Sequence, residues 1–209
     1  MVDTILNTLH NAFSDLSYSD TYTQAQKCTR CPLATTRTKV VFNQGPVPCK
    51  LMLIGEAPGA DEDIQGIPFV GRAGQLLTKM LEAVEIFRPN DIYITNTLKC
   101  RPPNNRTPLQ SEIDYCQDFL LKQISEVQPR ILILVGSPAM KTILHPDESI
   151  SKIRGKWFNL TVDYMSESLR VMTIFHPSYL LRNASKEQGS PKWLTWMDLK
   201  EIKKTLDTL

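Results

Sequence analysis

Ile131-Leu132-Ile133-Leu134-Val135-Gly136 is an unbroken apolar run closed by a glycine, and it decides the fold class. A strand of this kind buries both of its faces, as strands do inside a parallel sheet covered by helices on each side. Leu51-Met52-Leu53-Ile54, ended by Gly55, is a second run of the same type. Asp91-Ile92-Tyr93-Ile94-Thr95, with Asn96 at its C-terminal end, reads as a further strand, and Val171-Met172-Thr173-Ile174, leading into Phe175-His176-Pro177, as another.

Helical patterns separate these strands. Val2, Ile5, Leu6, Leu9, Phe13 and Leu16 fall at helical spacing, so an amphipathic helix is expected over residues 2–16, followed by a polar stretch up to Lys27. Residues 73–86 are helical by pattern after a long glycine- and acid-rich loop. Thr107-Pro108-Leu109-Gln110 reads as a helix start, with Thr as N-cap, Pro at N1 and Gln at N3. That helix runs to about Val127 and stops before Pro129. Another follows over residues 137–144, and Ser190 caps a last one beginning at Pro191. The alternation predicts an α/β fold, a three-layer α/β/α sandwich around a mainly parallel four-stranded sheet, forming one domain over residues 1–209. Its N-terminal helix and a metal-binding segment occupy about residues 1–40. In such sheets the ligand site lies beyond the C-terminal strand ends. Gly55-Glu56-Ala57-Pro58-Gly59, Asn96 and His176-Pro177-Ser178 all fall there.

The chain has 209 residues, 42% hydrophobic and 22% charged, enough for one sizeable core. No charged n-region precedes a short apolar stretch, and no run approaches the ~20 apolar residues of a membrane span, which places the protein in the cytosol. There the glutathione pool keeps thiols reduced, so the five cysteines are not expected to be disulfide staples. A net charge of +2 does not by itself announce a nucleic-acid partner.

Cys28 and Cys31 form a C-x2-C knuckle, a spacing that lets two thiolates reach one metal from a tight turn. Cys100 follows the Asp91–Thr95 strand, and Cys116 lies in the helix after Thr107. Cys116 shares a face with Ile113, Leu120 and Ile124 and would suit a core position, but the knuckle and Cys100 make it the fourth ligand of one centre. Four thiolates suit zinc and iron–sulfur alike. Cys49 reads as a small buried hydrophobe.

The loop after the Leu51–Ile54 strand reads Gly55-Glu56-Ala57-Pro58-Gly59-Ala60-Asp61-Glu62-Asp63, then Gly66-Ile67-Pro68-Phe69-Val70-Gly71-Arg72-Ala73-Gly74. With Asn96-Thr97-Leu98-Lys99-Cys100-Arg101-Pro102 and His176-Pro177-Ser178-Tyr179-Leu180-Leu181-Arg182, it closely resembles family 4 of the uracil-DNA glycosylases, bacterial and archaeal enzymes that carry a [4Fe–4S] cluster. The resemblance runs from about Lys27 to Arg182 with the motifs in the family's order. It implies a [4Fe–4S] cluster on Cys28, Cys31, Cys100 and Cys116, and hydrolysis of the glycosidic bond of deoxyuridine in DNA, leaving an abasic site. A monomer in the cytoplasm, associated with the nucleoid, fits that role.

The resemblance also implies residue roles. Cleavage generates an oxocarbenium-like sugar and a uracil anion, so the extruded base must be held and its charge stabilised. Phe69 stacks on the uracil face, although GIPFVG alone would equally suit a core aromatic. The Asn96 carboxamide complements uracil N3–H and O4 and rejects cytosine, and His176 donates to O2. Gly55, Glu56 and Ala57 line the base site. Family 1 enzymes have a water-positioning Asp where this chain has Ala57, so that task falls to Glu56, Asp61, Glu62 or Asp63, with Glu62 the assignment; its carboxylate also stabilises the oxocarbenium electrostatically. Gly59 replaces the bulky family 1 residue that excludes thymine, and Glu56 stands as the substitute wall.

Arg101, Arg106, Lys152, Arg154, Lys156 and Arg182 should contact phosphates. Tyr179, Leu180 and Leu181, in an expected exposed loop, suit a wedge between base pairs. Two other readings are a non-catalytic iron–sulfur or zinc protein that binds nucleic acid, and a relative that traps uracil-DNA covalently through a histidine. Arg101-Pro102-Pro103-Asn104-Asn105-Arg106, where that histidine would lie, has none.

Overall fold

The computed structural model describes Phe13, residues 15–162 and residues 167–209. The helix expected over residues 2–16 lies, but for Phe13, Asp15 and Leu16, outside the described residues. Five strands form one sheet: β1 (Leu51–Gly55), β2 (Tyr93–Asn96), β3 (Ile131–Val135), β4 (Trp157–Leu160) and β5 (Leu169–Ile174). Their order is β2-β1-β3-β5-β4, parallel throughout except for β4 against β5. The sheet thus has one strand more than expected. Trp157-Phe158-Asn159-Leu160 is a short antiparallel edge strand with only Leu160 buried, so it lacks the double-sided apolar run that marks the others.

Alternate residues along each strand enter opposite layers. Met52, Ile54, Leu132 and Leu134 pack against α4 (Gln110–Val127) and α5 (Gly136–Leu144). Leu51, Leu53, Ile131 and Ile133 pack against α3 (Arg72–Glu82) and α8 (Pro191–Leu206). These two cores make the three layers.

Several boundaries differ from expectation for local reasons. A helix, α1 (Tyr18–Gln26), stands in the stretch read as polar. It buries only Thr21 and Ala25, so no apolar stripe announces it, although Ser17 caps it by accepting from Asp20 N–H at 3.1 Å. A short helix, α2 (Ala60–Gln65), interrupts the acidic loop. The α3 helix stops at Glu82 rather than residue 86, because the chain turns through a left-handed Glu85 (φ 57°). The α4 helix begins at Gln110, three residues after the expected cap. Its cap is Leu109, whose N–H donates to the Glu112 carboxylate at 2.9 Å. The HPSYLLR segment, expected as a loop, is the short helix α7 (Pro177–Arg182). The remaining helix, α6 (Ile150–Ile153), precedes β4.

Candidate active site and metal centre

The loops leaving β1, β2 and β5 meet beyond the C-terminal strand ends around a cavity of about 320 Å³. Glu56, Ala57, Glu62, Phe69, Asn96 and His176 all line it, so three segments distant in sequence converge as expected. Gly55 lies beneath them. A Cβ there would come 2.4 Å from Asn96 Oδ1 and 2.5 Å from the tip of the Phe69 ring, so glycine is what lets both side chains occupy this wall.

Asn96 ends β2 and is only 2% exposed. Its backbone carbonyl accepts from Lys99 Nζ at 2.5 Å, while among the described residues its carboxamide has no hydrogen-bond partner. The carboxamide lines the cavity and opens into it, so it is free to meet a ligand there.

Phe69 is 8% exposed and sits in the left-handed region (φ 53°), unusual for an aromatic residue. Gly74 allows it: a Cβ at Gly74 would fall 2.0 Å from the Phe69 carbonyl carbon. The Phe69 and His176 rings face each other across the cavity wall with centroids 6.1 Å apart.

His176 precedes α7, and its Nδ1 accepts the Ser178 backbone N–H at 3.2 Å and pairs with Ser178 Oγ at 2.8 Å. A backbone N–H can only donate, so the neutral ring carries its proton on Nε2. Burial, reinforced by the Arg182 charge, pulls His176 down to about 4, and the ring is therefore neutral at ordinary pH. It is a hydrogen-bond donor that brings no positive charge.

Glu62 in α2 accepts Gly59 N–H at 3.0 Å with one carboxylate oxygen, and Val70 and Gly71 N–H at 2.9 and 2.8 Å with the other. Three of its roughly four lone-pair positions are thereby taken. Asp63, another candidate for water positioning, is 3% exposed and accepts Thr38 N–H at 2.9 Å, so it braces α2 instead. Burial pushes the Glu56 carboxyl up from its ordinary value.

The four cysteines named from the sequence gather at a second site. Cys28, Cys31, Cys100 and Cys116 line one small cavity together with Arg37, Lys99 and Phe119. Cys49 is buried apart from them, its thiol donating to Leu51 O at 3.2 Å. Arg37 donates to Cys100 Sγ at 3.4 Å, and the Lys99 N–H to Cys116 Sγ at 3.4 Å. Burial pushes the Cys116 thiol up to about 12 and raises Cys100, while it pulls the Lys99 ammonium down to about 7. The buried Lys99 and the half-buried Arg37 facing four thiols suit an anionic centre with thiolate ligands. Among the described residues no three such side chains converge on one point as a single ion requires. Four thiols lining one cavity fit the donor set of a thiolate-ligated metal centre.

Residues 42–200 match the family model of the uracil DNA glycosylase superfamily. The type-4 uracil-DNA glycosylase of Thermotoga maritima is 44% identical over 165 residues, covering 78% of this chain and 83% of that one. The type-4 enzyme of Archaeoglobus fulgidus is 38% identical over 169 residues, 79% of this chain and 83% of its own. The chain belongs to the type-4 uracil-DNA glycosylases. A type-5 uracil-DNA glycosylase of Pyrobaculum aerophilum is more distant, 28% identical over 205 residues, covering 81% of this chain and 86% of that one.

In this type-4 chain the residues expected to face DNA divide into two groups. Arg101 and Arg182 lie near the cavity, Arg101 donating to Asn105 Oδ1 at 2.7 Å and Arg182 exposed close to His176. Tyr179 and Leu181 are each 38% exposed on α7, and Lys152 and Lys156 are exposed as well. Leu180, by contrast, is fully buried, because a helix turns it into the core where a loop would have left it out; it is no part of an exposed wedge. Arg154 is held by Asp198, itself 4% exposed, and donates to Leu194 O at 3.2 Å. Arg106 lines the cavity, but both of its terminal nitrogens bind Glu112, at 2.9 and 2.6 Å. These two guanidinium groups are engaged within the fold.

Sequence reasoning missed two residues. Ser178 sets the His176 tautomer, and the HPS motif contained it. Arg88 touches Phe69 from outside every motif, and nothing in its neighbourhood signalled it.

Proposed function

We propose that this protein hydrolyses the N-glycosidic bond of deoxyuridine in DNA, releasing uracil and leaving an abasic site. The observation that carries the reading is the unpaired Asn96 carboxamide lining one cavity with the Phe69 ring and the His176 imidazole. Phe69 stacks on the extruded base, offsetting part of the few kcal/mol of unstacking. Asn96 matches uracil N3–H and O4, and His176 donates its Nε2 proton towards O2 as the leaving base becomes an anion.

Glu62 acts through its charge. With three backbone N–H groups on its carboxylate, it holds the loop and sets a negative charge beside the developing oxocarbenium. Glu56 forms the wall that a thymine methyl group would meet. Arg101, Arg182, Lys152 and Lys156 receive phosphates, and Tyr179 and Leu181 form the wedge. The substrate is uracil in single- or double-stranded DNA, and the protein works as a monomer at the nucleoid.

Cys28, Cys31, Cys100 and Cys116 would hold a [4Fe–4S] cluster. Bound there, it would tie the N-terminal segment to Cys100 after β2 and to Cys116 in α4. Purified protein with its iron in place should release free uracil from a uracil-containing oligonucleotide. A folded, iron-loaded preparation that leaves the base attached would sink the reading.

A further inference from the structure

Arg88 lies between α3 and β2, half-buried, outside every motif described above. Its guanidinium makes five hydrogen bonds, one for each N–H it possesses. Nε and Nη2 donate to Gln44 Oε1 at 2.9 and 2.6 Å, and Nη1 to Thr78 Oγ1 at 3.0 Å. The remaining two go to main chain, Pro68 O at 2.7 Å and Phe69 O at 2.8 Å. Gln44 is itself fixed to β2, exchanging backbone hydrogen bonds with Ile94 at 2.9 and 2.7 Å.

The peptide unit joining Phe69 to Val70 therefore lies between two opposite charges. Its carbonyl points at the Arg88 cation, and its N–H points at the Glu62 carboxylate. A peptide dipole oriented this way is stabilised at both ends. Phe69, the first residue of this pair, takes the left-handed conformation, which costs a non-glycine residue on the order of 1 kcal/mol or more.

We infer that Arg88 is a positioning residue for the base-stacking ring: with Glu62 it clamps the Phe69–Val70 peptide and thereby holds Phe69 in its cavity-facing pose. The inference rests on Phe69 stacking on uracil. A lysine would supply three donors at one point in place of a planar fork of five, so it cannot satisfy the same acceptors.

The test is a kinetic double-mutant cycle on iron-loaded protein. Arg88→Gln should lower kcat for uracil release about tenfold, a loss in the range expected for hydrogen bonds to a charged group. It should weaken inhibition by free uracil by a similar factor, with KM for DNA little changed. In a Phe69→Ala background the same substitution should have no further effect, because the ring it positions is gone. Arg88→Lys serves if Arg88→Gln does not fold, with about a threefold loss that also vanishes beside Phe69→Ala. Either variant at the wild-type rate, or a loss that persists undiminished in the Phe69→Ala background, overturns the clamp. Wild-type protein is the reference arm, and its failure to release uracil would fault the glycosylase reading and not the clamp.

Discussion

The base cavity and the cysteine cavity hang on the same few residues after β2, yet they are built on opposite principles. At Asn96 the protein leaves a buried amide unpaired and holds everything around it rigid through its own bonds. Four residues on, at Cys100, it gathers four thiols, two of which (Cys100 and Cys116) burial pushes up, and sets Lys99 and Arg37 against them. The first site leaves a polar group open to the cavity, ready for a ligand. The second reaches charge balance only when its thiols become thiolates, which a metal centre enforces. Lys99 joins the two, its ammonium on Asn96 O and its backbone N–H on Cys116 Sγ.

The contrast breaks most visibly at Cys116. Cys116→Ala should cost about 3–5 kcal/mol in denaturant unfolding and strip iron from the purified protein, because Lys99 stays buried opposite one anionic ligand fewer. Iron retained at full stoichiometry with unchanged stability would show that the two cavities are not built differently.

Asn96→Ala probes the other side. The rate of uracil release in a single turnover should fall about 10²–10³-fold, as for loss of one transition-state hydrogen-bonding group. Thermal stability should change little, since the carboxamide makes no hydrogen bond among the described residues. A large drop in melting temperature would mean that the carboxamide supports the fold.

His176 sharpens the comparison through pH. Its folded-state value of about 4 lies below the ordinary 6.5, so between those values the unfolded chain binds a proton that the native protein does not. Stability from this group is complete above pH 6.5 and is lost as pH falls towards 4, on the order of 3 kcal/mol in all. His176→Asn should remove that part of the acid sensitivity. Wild-type single-turnover rates should stay level through pH 6.5 and drop only near pH 4. A break at the ordinary histidine value would mean the ring is charged in the working site.

Much of this was readable before any coordinates. Strands β1 and β3 announced themselves because a strand buried on both faces is apolar at every position. The base-site residues followed from motifs whose side chains sit where such sheets bind ligands. The exceptions have physical causes. Strand β4 is an edge with one buried residue, and α1 has no apolar face, so neither leaves a periodic trace. That Glu112 holds Arg106 and Asp198 holds Arg154 was not readable, because a basic residue in a loop does not show which acid lies beside it in space. Leu180 looked exposed until α7 turned it inward.

The sequence by itself determined the layers, the four cysteines and the identity of the groups that meet in the cavity, because burial periodicity and residue chemistry are local properties. Only the tertiary structure decided what those groups are free to do. That the Asn96 amide is unpaired, that His176 carries its proton on Nε2, that Glu62 is bound by three backbone N–H groups and that Arg88 grips Phe69 all depend on partners supplied by the folded chain. Hydrogen-bond partners are assigned by packing in space. In Arg88 and Phe69 the chain brings together residues 19 positions apart that no pattern connects.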